Sequence, residues 1–446
     1  MSRLFGTDGV RGTAGRYPLD RDTVARLGAA LVRVLAPPDG RPLRILVGRD
    51  TRESGPAIER ALARGAGAAG ASLTSAGVIP TPAVSFLTAS VGFDAGVVIS
   101  ASHNPFEDNG IKIFSSRGEK LADETERAIE ALVADCEWPT PDLAAPAPAS
   151  SDLSGAYLAH LRSAMRDAPR LGRLRLAIDS ANGATWAVGP RLFRDLDFDV
   201  TVMNAEPDGR NINRACGSTH PGPLAAVVVG GGHRLGVAFD GDGDRAIFVD
   251  RAGRVVDGDA VLLMCARELK AAGRLPGDLV VATVMSNLGL ELALRDAGIR
   301  LARCPVGDKY VREEMVSRGA SLGGEQSGHI IFSEYLSTGD GLLTALQVVG
   351  VMMRTGRELA DLASELVTCP QVLVNVRVKE KRALEETPEV REAMACVEQR
   401  LGEEGRLLVR YSGTEPLLRI MIEGRDRVRI QAWADEIAAA VTRHLG

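Results

Sequence analysis

Three aspartates stand at every second position in Asp240-Gly241-Asp242-Gly243-Asp244-Arg245, directly after the apolar run from Leu235 to Phe239. Carboxylates so spaced, on a chain that glycines allow to bend, can converge on one hard cation, and Mg²⁺ suits their oxygen ligands best. An EF-hand loop begins alike but needs Gly at its sixth position and Glu at its twelfth, where this chain has Arg245 and Arg251. The competing reading is a solvated acidic turn; the apolar runs entering and leaving the segment favour the metal site. Three aspartates carry more charge than one Mg²⁺ cancels, so Arg245 and a phosphate oxygen are the natural complements.

A candidate phosphate carrier stands in VISASHNP (98–105), where an apolar run ends by presenting Ser100, Ser102 and His103. A serine hydroxyl is a weak nucleophile unless activated, and no G-x-S-x-G elbow suggests acyl transfer. Phosphoryl transfer suits it better: a phosphoryl group on Ser102 could ligand the Mg²⁺, with the serine as leaving group and Lys112 as a nearby cation. The bland alternative is a serine-capped helix start.

Two further loops carry weaker signals. Gly323-Gly324-Glu325-Gln326-Ser327-Gly328-His329 offers a carboxylate and a hydroxyl among glycines, the means by which a loop approaches a polyhydroxylated ligand, and reads equally well as a tight turn. Arg410-Tyr411-Ser412-Gly413-Thr414-Glu415-Pro416, with Arg419 beyond, has the parts of an anion nest, against the alternative of a plain hairpin loop. Gly230 to Gly236 imitates a dinucleotide fingerprint, but its spacing is wrong and a strand follows where a helix is needed.

The elements that must position these residues follow an α/β pattern. Strand-like runs alternate with helix-like stretches on both sides of a Pro/Ala/Ser-rich linker at 138–154. RILVGRDTR (44–52), RLAIDSANG (175–183) and LVVATVMSN (279–287) each open a unit that later reaches one of the loops VISASHNP, GVAFDGDGDR or SLGGEQSGH. Ligands gather beyond the C-terminal ends of strands in open parallel sheets, so the three loops are candidates for one cleft. The tail differs, with VLVNVRV (372–378), a helix-like stretch over 388–401, two strands within 406–424 and an amphipathic 428–445. The expected fold is therefore α/β: three similar α/β domains with mixed, mainly parallel sheets, plus a C-terminal α+β domain, around a central cleft. The expected limits are 1–150, 151–252, 253–367 and 368–446.

With 446 residues, several cores are expected. Lys plus Arg number 53 against 58 Asp plus Glu, and no basic tract tracks a nucleic-acid backbone, so nucleic acid is excluded as a partner. No secretory h-region or membrane-spanning run appears, so a cytoplasmic protein is expected. Six cysteines stand singly without a C-x-x-C pair, which argues against a zinc site or a disulfide framework. The sequence leaves a homodimer open.

Taken together, FGTDGVRG (5–12), ISASHNPFEDNGIKIF (99–114), FDGDGDR (239–245), GGEQSGHI (323–330) and RYSGTEPLLR (410–419) resemble the α-D-phosphohexomutase superfamily, in particular its bacterial members acting on glucosamine phosphates. The resemblance implies an isomerase interconverting glucosamine 6-phosphate and glucosamine 1-phosphate through a phosphoserine and a bisphosphate. It implies Mg²⁺, glucosamine 1,6-bisphosphate as primer, and a place on the path to UDP-N-acetylglucosamine and peptidoglycan. By it, Ser102 rather than Ser100 is the phosphoserine, and Asp240, Asp242 and Asp244 hold the metal with the phosphoryl group of Ser102. Arg11, His103, Lys112, Arg245 and His329 line the reacting centre, with Lys112, His329 and Arg11 handling protons or stabilising charge. Glu325 and Ser327 contact sugar hydroxyls, and Arg410, Ser412, Gly413, Thr414 and Arg419 hold the non-reacting phosphate. Pro305 to Lys309 is a candidate specificity loop. The alternatives are a phosphoglucomutase or phosphomannomutase of the same superfamily, or a non-catalytic Ca²⁺- or sugar-phosphate-binding protein.

Overall fold

The computed structural model describes residues 4–6, 8–135, 148–165, 174–412 and 416–446. Gly413, Thr414, Cys136 and most of the expected linker lie outside them. The chain divides into two compact units, one of residues 1–285 and 299–365, the other of 286–298 and 366–446.

Three sheets of the larger unit repeat one topology. In the first, Arg44–Arg49 lies between Ser72–Val78 and Ala95–Ile99, all parallel, and Asp108–Ser115 returns antiparallel beside Ala95–Ile99. In the second, Arg175–Asp179 lies between Asp199–Met203 and Leu235–Phe239, and Ala246–Asp250 returns. In the third, Leu279–Thr283 lies between Arg300–Cys304 and Leu322–Gly324, and Ile330–Phe332 returns. Strands Ala95–Ile99, Leu235–Phe239 and Leu279–Thr283 are buried at every position, as their unbroken apolar runs require when both faces of a sheet are covered. Each return starts from a loop carrying one of the three chemical motifs. The residues from Ser100 to Glu107 link two strands, so the helix-start reading of that segment is set aside.

Helix packing supports these sheets. Arg21–Leu35, capped by Asp20 accepting from Thr23 N at 2.9 Å, packs closely on Gly55–Ala68. A Cβ on Gly65 would lie 1.8 Å from the Ala25 carbonyl oxygen, so only glycine permits that approach.

The smaller unit has an antiparallel sheet in which Leu417–Gly424 lies between Gly405–Tyr411 and Gln371–Arg377. Helices Pro388–Leu401 and Arg427–Leu445 share its apolar core, through Val390, Val397, Ile430 and Ile437. Helix Leu288–Asp296, which sequence order places with the third sheet, belongs to this unit. Buried Glu423 is the reason: it accepts from Asn287 Nδ2 and Leu288 N, both at 3.1 Å, and pairs with Arg406 at 2.7 Å.

Candidate active site

Ser102 is fully buried in the first of the three loops, with the left-handed φ of +53°, a conformation that non-glycine residues adopt mostly where the surroundings impose it. Its Oγ donates to Asp240 Oδ2 at 2.5 Å. Ser100 is buried too but faces elsewhere, its Oγ donating to Asp50 Oδ2 at 2.5 Å and accepting from Ser102 N at 2.9 Å. Gly241 lets the loops meet, since a Cβ there would lie 2.4 Å from the Ser102 carbonyl oxygen.

The aspartates behind Ser102 converge. Asp240, Asp242 and Asp244 are all buried, and each places one carboxylate oxygen within 4.8 Å of the others. Lys112, 2 % exposed, reaches Asp242 Oδ2 at 2.9 Å and Asp244 Oδ2 at 3.3 Å, while Thr81 Oγ1 donates to Asp242 Oδ2 at 2.6 Å. The opposite oxygens, Asp242 Oδ1 and Asp244 Oδ1, are buried without a hydrogen-bond partner among the described residues. Such orphans are costly unless something polar meets them, and an all-oxygen set with two spare acceptors fits a hard divalent cation. Burial, reinforced by Asp244 and Asp242, pushes the Asp240 carboxyl well above its ordinary pKa. Burial opposes ionisation of Asp242 as well, yet Lys112 and the Thr81 hydroxyl hold its pKa down. Burial likewise disfavours charge on Lys112, but Asp242, Asp8 and Asp244 hold it well above the usual lysine value.

A cleft of about 480 Å³ opens beside this cluster, lined by Arg11, His103, Asp244, Arg245, Glu325 and His329 among others. Burial, then the charges of Arg245 and Arg11, push His103 down to about 4, so its ring is neutral near pH 7. Arg245 donates to His103 Nδ1 at 3.0 Å, and Ser102 Oγ lies 3.3 Å from the same nitrogen. His329 is 2 % exposed, its ring nitrogens lack hydrogen-bond partners among the described residues, and Nε2 lies 3.8 Å from Asp308. Glu325 Oε1 accepts from Gly307 N at 3.1 Å, which ties the Glu325 loop to the 305–309 segment.

Four domain descriptions of one family match this chain in order. Phosphoglucomutase/phosphomannomutase alpha/beta/alpha domains I, II and III match residues 2–139, 155–253 and 257–369, and the C-terminal domain matches 373–440. The chain belongs to the phosphoglucomutase/phosphomannomutase family. It is a phosphosugar mutase. It is 51% identical over 448 residues to a protein named phosphoglucosamine mutase from Solibacter usitatus, covering 99% of each, and 46% identical to one so named from Syntrophotalea carbinolica, covering 100% of this chain and 98% of that one. A solved phosphoglucomutase/phosphomannomutase family protein from Burkholderia thailandensis shares the fold, with a TM-score of 0.82 at 24% identity over 99% of this chain and 97% of that one.

Of the residues expected from the family motifs, Arg11, Ser102, His103, Lys112, Asp240, Asp242, Asp244, Arg245, Glu325 and His329 all lie at the acidic cluster or along the cleft beside it. Ser327 is exposed on the turn after Glu325 and is not among the cleft-lining residues. In the smaller unit, Arg410 and Arg419 are register partners on adjacent strands, and Arg419 donates to the Ser412 hydroxyl at 3.4 Å.

Sequence reasoning missed several residues that the structure brings to this site. Asp8 pairs with Arg11 and with Lys112 at 3.2 Å, and it accepts from Lys120 at 2.8 Å. Lys120 also donates to Asp308 at 2.7 Å, completing a chain of charges from the acidic cluster to His329. Burial opposes ionisation of Asp8, but Lys112, Lys120 and Arg11 hold its pKa well below the ordinary value. Asp50, Arg52 and Asn213 were also missed, although Asp50 and Arg52 stand in the RILVGRDTR motif. A polar pair closing an apolar strand was the available signal.

Proposed function

We propose that this chain interconverts glucosamine 6-phosphate and glucosamine 1-phosphate, with Ser102 as the phosphoryl carrier and glucosamine 1,6-bisphosphate as intermediate and primer. The observation that carries the reading is the 2.5 Å contact of Ser102 Oγ with an aspartate of the buried acidic cluster. Support for the hexosamine substrate comes from full-length relatives that are named phosphoglucosamine mutase.

In the forward step the bond between phosphorus and Ser102 Oγ breaks as phosphorus bonds to the free sugar hydroxyl, whose proton must leave. His329, buried 3.8 Å from Asp308 with ring nitrogens that make no hydrogen bond among the described residues, is the proton-handling group in this reading. Lys112, held charged by three carboxylates, stabilises the transferring charge together with Arg245 and Arg11. Mg²⁺ held by Asp240, Asp242 and Asp244 would supply neutralisation of the phosphoryl oxygens. Returning, Ser102 Oγ accepts the other phosphate of the turned bisphosphate. Arg410, Ser412, Gly413, Thr414 and Arg419 are assigned to the phosphate that does not react, and Glu325 and Ser327 to the sugar hydroxyls. The four domains are taken as the serine-bearing, metal-binding, sugar-recognising and phosphate-binding parts.

We place the enzyme in the cytoplasm, upstream of UDP-N-acetylglucosamine and peptidoglycan. The buried free thiols of Cys216, Cys265, Cys304 and Cys369 support a reducing compartment, and no helix among the described residues is long and apolar enough to cross a membrane. The substrate reading is tested by turnover on glucosamine, glucose and mannose 6-phosphates, each with Mg²⁺ and its own bisphosphate. Glucosamine 6-phosphate is expected to lead by about tenfold or more in kcat/KM, as expected when a site pairs an amino group that its rivals replace with a hydroxyl. Equal or greater turnover on glucose 6-phosphate would move the assignment to the phosphoglucomutases.

A further inference from the structure

Behind the serine loop lies a buried clamp that none of the reacting groups explains. Arg52, with no exposed surface, donates from one guanidinium nitrogen to the carbonyl oxygens of Ser102 and Asn104, both at 2.9 Å, and from the other to that of Pro105. From the second sheet's side, Asn213 Nδ2 donates to the same Ser102 and Asn104 carbonyls at 2.8 and 3.1 Å. Two separate donors thus bridge one pair of carbonyls. Both are themselves fixed. Asp50 holds Arg52 Nε at 2.8 Å and also receives the Ser100 hydroxyl. Asn213 sits at φ +58° with its N–H on the Ala181 carbonyl at 2.9 Å, in a stretch where Ala215 and Gly217 also have positive φ.

Left-handed backbone at a serine persists only where its surroundings over-determine it. Ser102 Oγ is the leaving group in one half-reaction and the phosphate acceptor in the other, so one position must serve both. A misplacement of about 1 Å costs on the order of 100-fold in rate. We propose that Asn213 is a positioning residue: jointly with Arg52 it holds Ser102 in its left-handed conformation, and it fixes the serine against the acidic cluster carried by Asn213's own sheet. This rests on the reading of Ser102 as the phosphoryl carrier.

Arg52 is a buried charge whose loss endangers folding, so Asn213 carries the test. Asn213→Asp keeps the shape but removes the donor, and Asn213→Gly removes the side chain; both residues tolerate positive φ. Both variants are expected to lower kcat by about 10- to 100-fold with KM for glucosamine 6-phosphate within about twofold. Loss of an isotopically labelled phosphoryl group from Ser102 to saturating unlabelled substrate, followed by intact mass in a single turnover, should slow by the same factor. Unchanged kcat and label loss in either folded variant would overturn the clamp, as would a raised KM with unchanged kcat. If wild-type protein, given primer, never carries phosphate on Ser102, the carrier reading fails instead, and the clamp with it.

Discussion

Ser102→Ala is expected to lower mutase turnover by at least about 10³-fold, the scale of losing a group that forms the covalent intermediate. Alanine has no oxygen to carry phosphate, and the neighbouring Ser100 hydroxyl is committed to Asp50 and the Ser102 amide. Because the position has a φ of +53°, alanine keeps the backbone strain of about 1 kcal/mol that serine already bears. Ser102→Gly is the control for that strain: it accepts the backbone freely yet should be equally inactive. Circular dichroism and a thermal midpoint within a few degrees of wild type would show that both variants fold. Turnover above a tenth of wild type in either would remove Ser102 from the mechanism.

The second large effect is expected at Lys112. Lys112→Met deletes the cation that Asp8, Asp242 and Asp244 share at 2.9–3.3 Å in a buried site. Removing one partner of a buried ion cluster leaves uncompensated charge and costs about 3–5 kcal/mol, against the far smaller value of an exposed pair. Denaturant unfolding reads that loss, and turnover is expected to fall by about 100-fold or more. The sign of the pH dependence follows from the shifts. Lys112, raised in the folded state, contributes stability that is complete below the unfolded lysine pKa and is lost only as pH rises through the folded value. Asp8, lowered in the folded state, contributes above the unfolded aspartate pKa and loses its share as pH falls through the folded value. Near pH 7 both contributions are present, so the variant should show its full deficit there. Added Mg²⁺ should raise the thermal midpoint of Lys112→Met more than that of wild type, because the unbalanced aspartates gain more from a cation. A midpoint shift equal in both proteins would separate Lys112 from the acidic cluster.

Much of this site is legible in the sequence because strand and return are close along the chain. Asp240, Asp242 and Asp244 lie within five residues, and the unbroken apolar runs on either side fix them at a strand end. The repeated order of opening strand and later chemical loop was likewise visible in three segments, and in the structure a return strand gives all three the same topology. What stayed hidden is what sequence separation conceals. Asn213 meets Ser102 across 111 positions and Lys120 meets Asp308 across 188. Nothing local marks these side chains as partners. Local pattern also cannot tell Ser100 from Ser102, since both end the same strand; their hydrogen bonds divide them. Helix Leu288–Asp296 misleads for a related reason, as its place is set by Glu423, more than a hundred residues onward.

Whether Ser102 carries the phosphate that the sugar receives is decided by loading purified protein with isotopically labelled glucosamine 1,6-bisphosphate, locating the phosphoryl group by peptide mass, and then adding unlabelled glucosamine 6-phosphate with Mg²⁺. One labelled phosphoryl group is expected on Ser102, passing to the sugar within one turnover while unlabelled phosphate from the substrate takes its place. A phosphoryl group that never forms on Ser102, or a label that stays there while product accumulates, would contradict the carrier role.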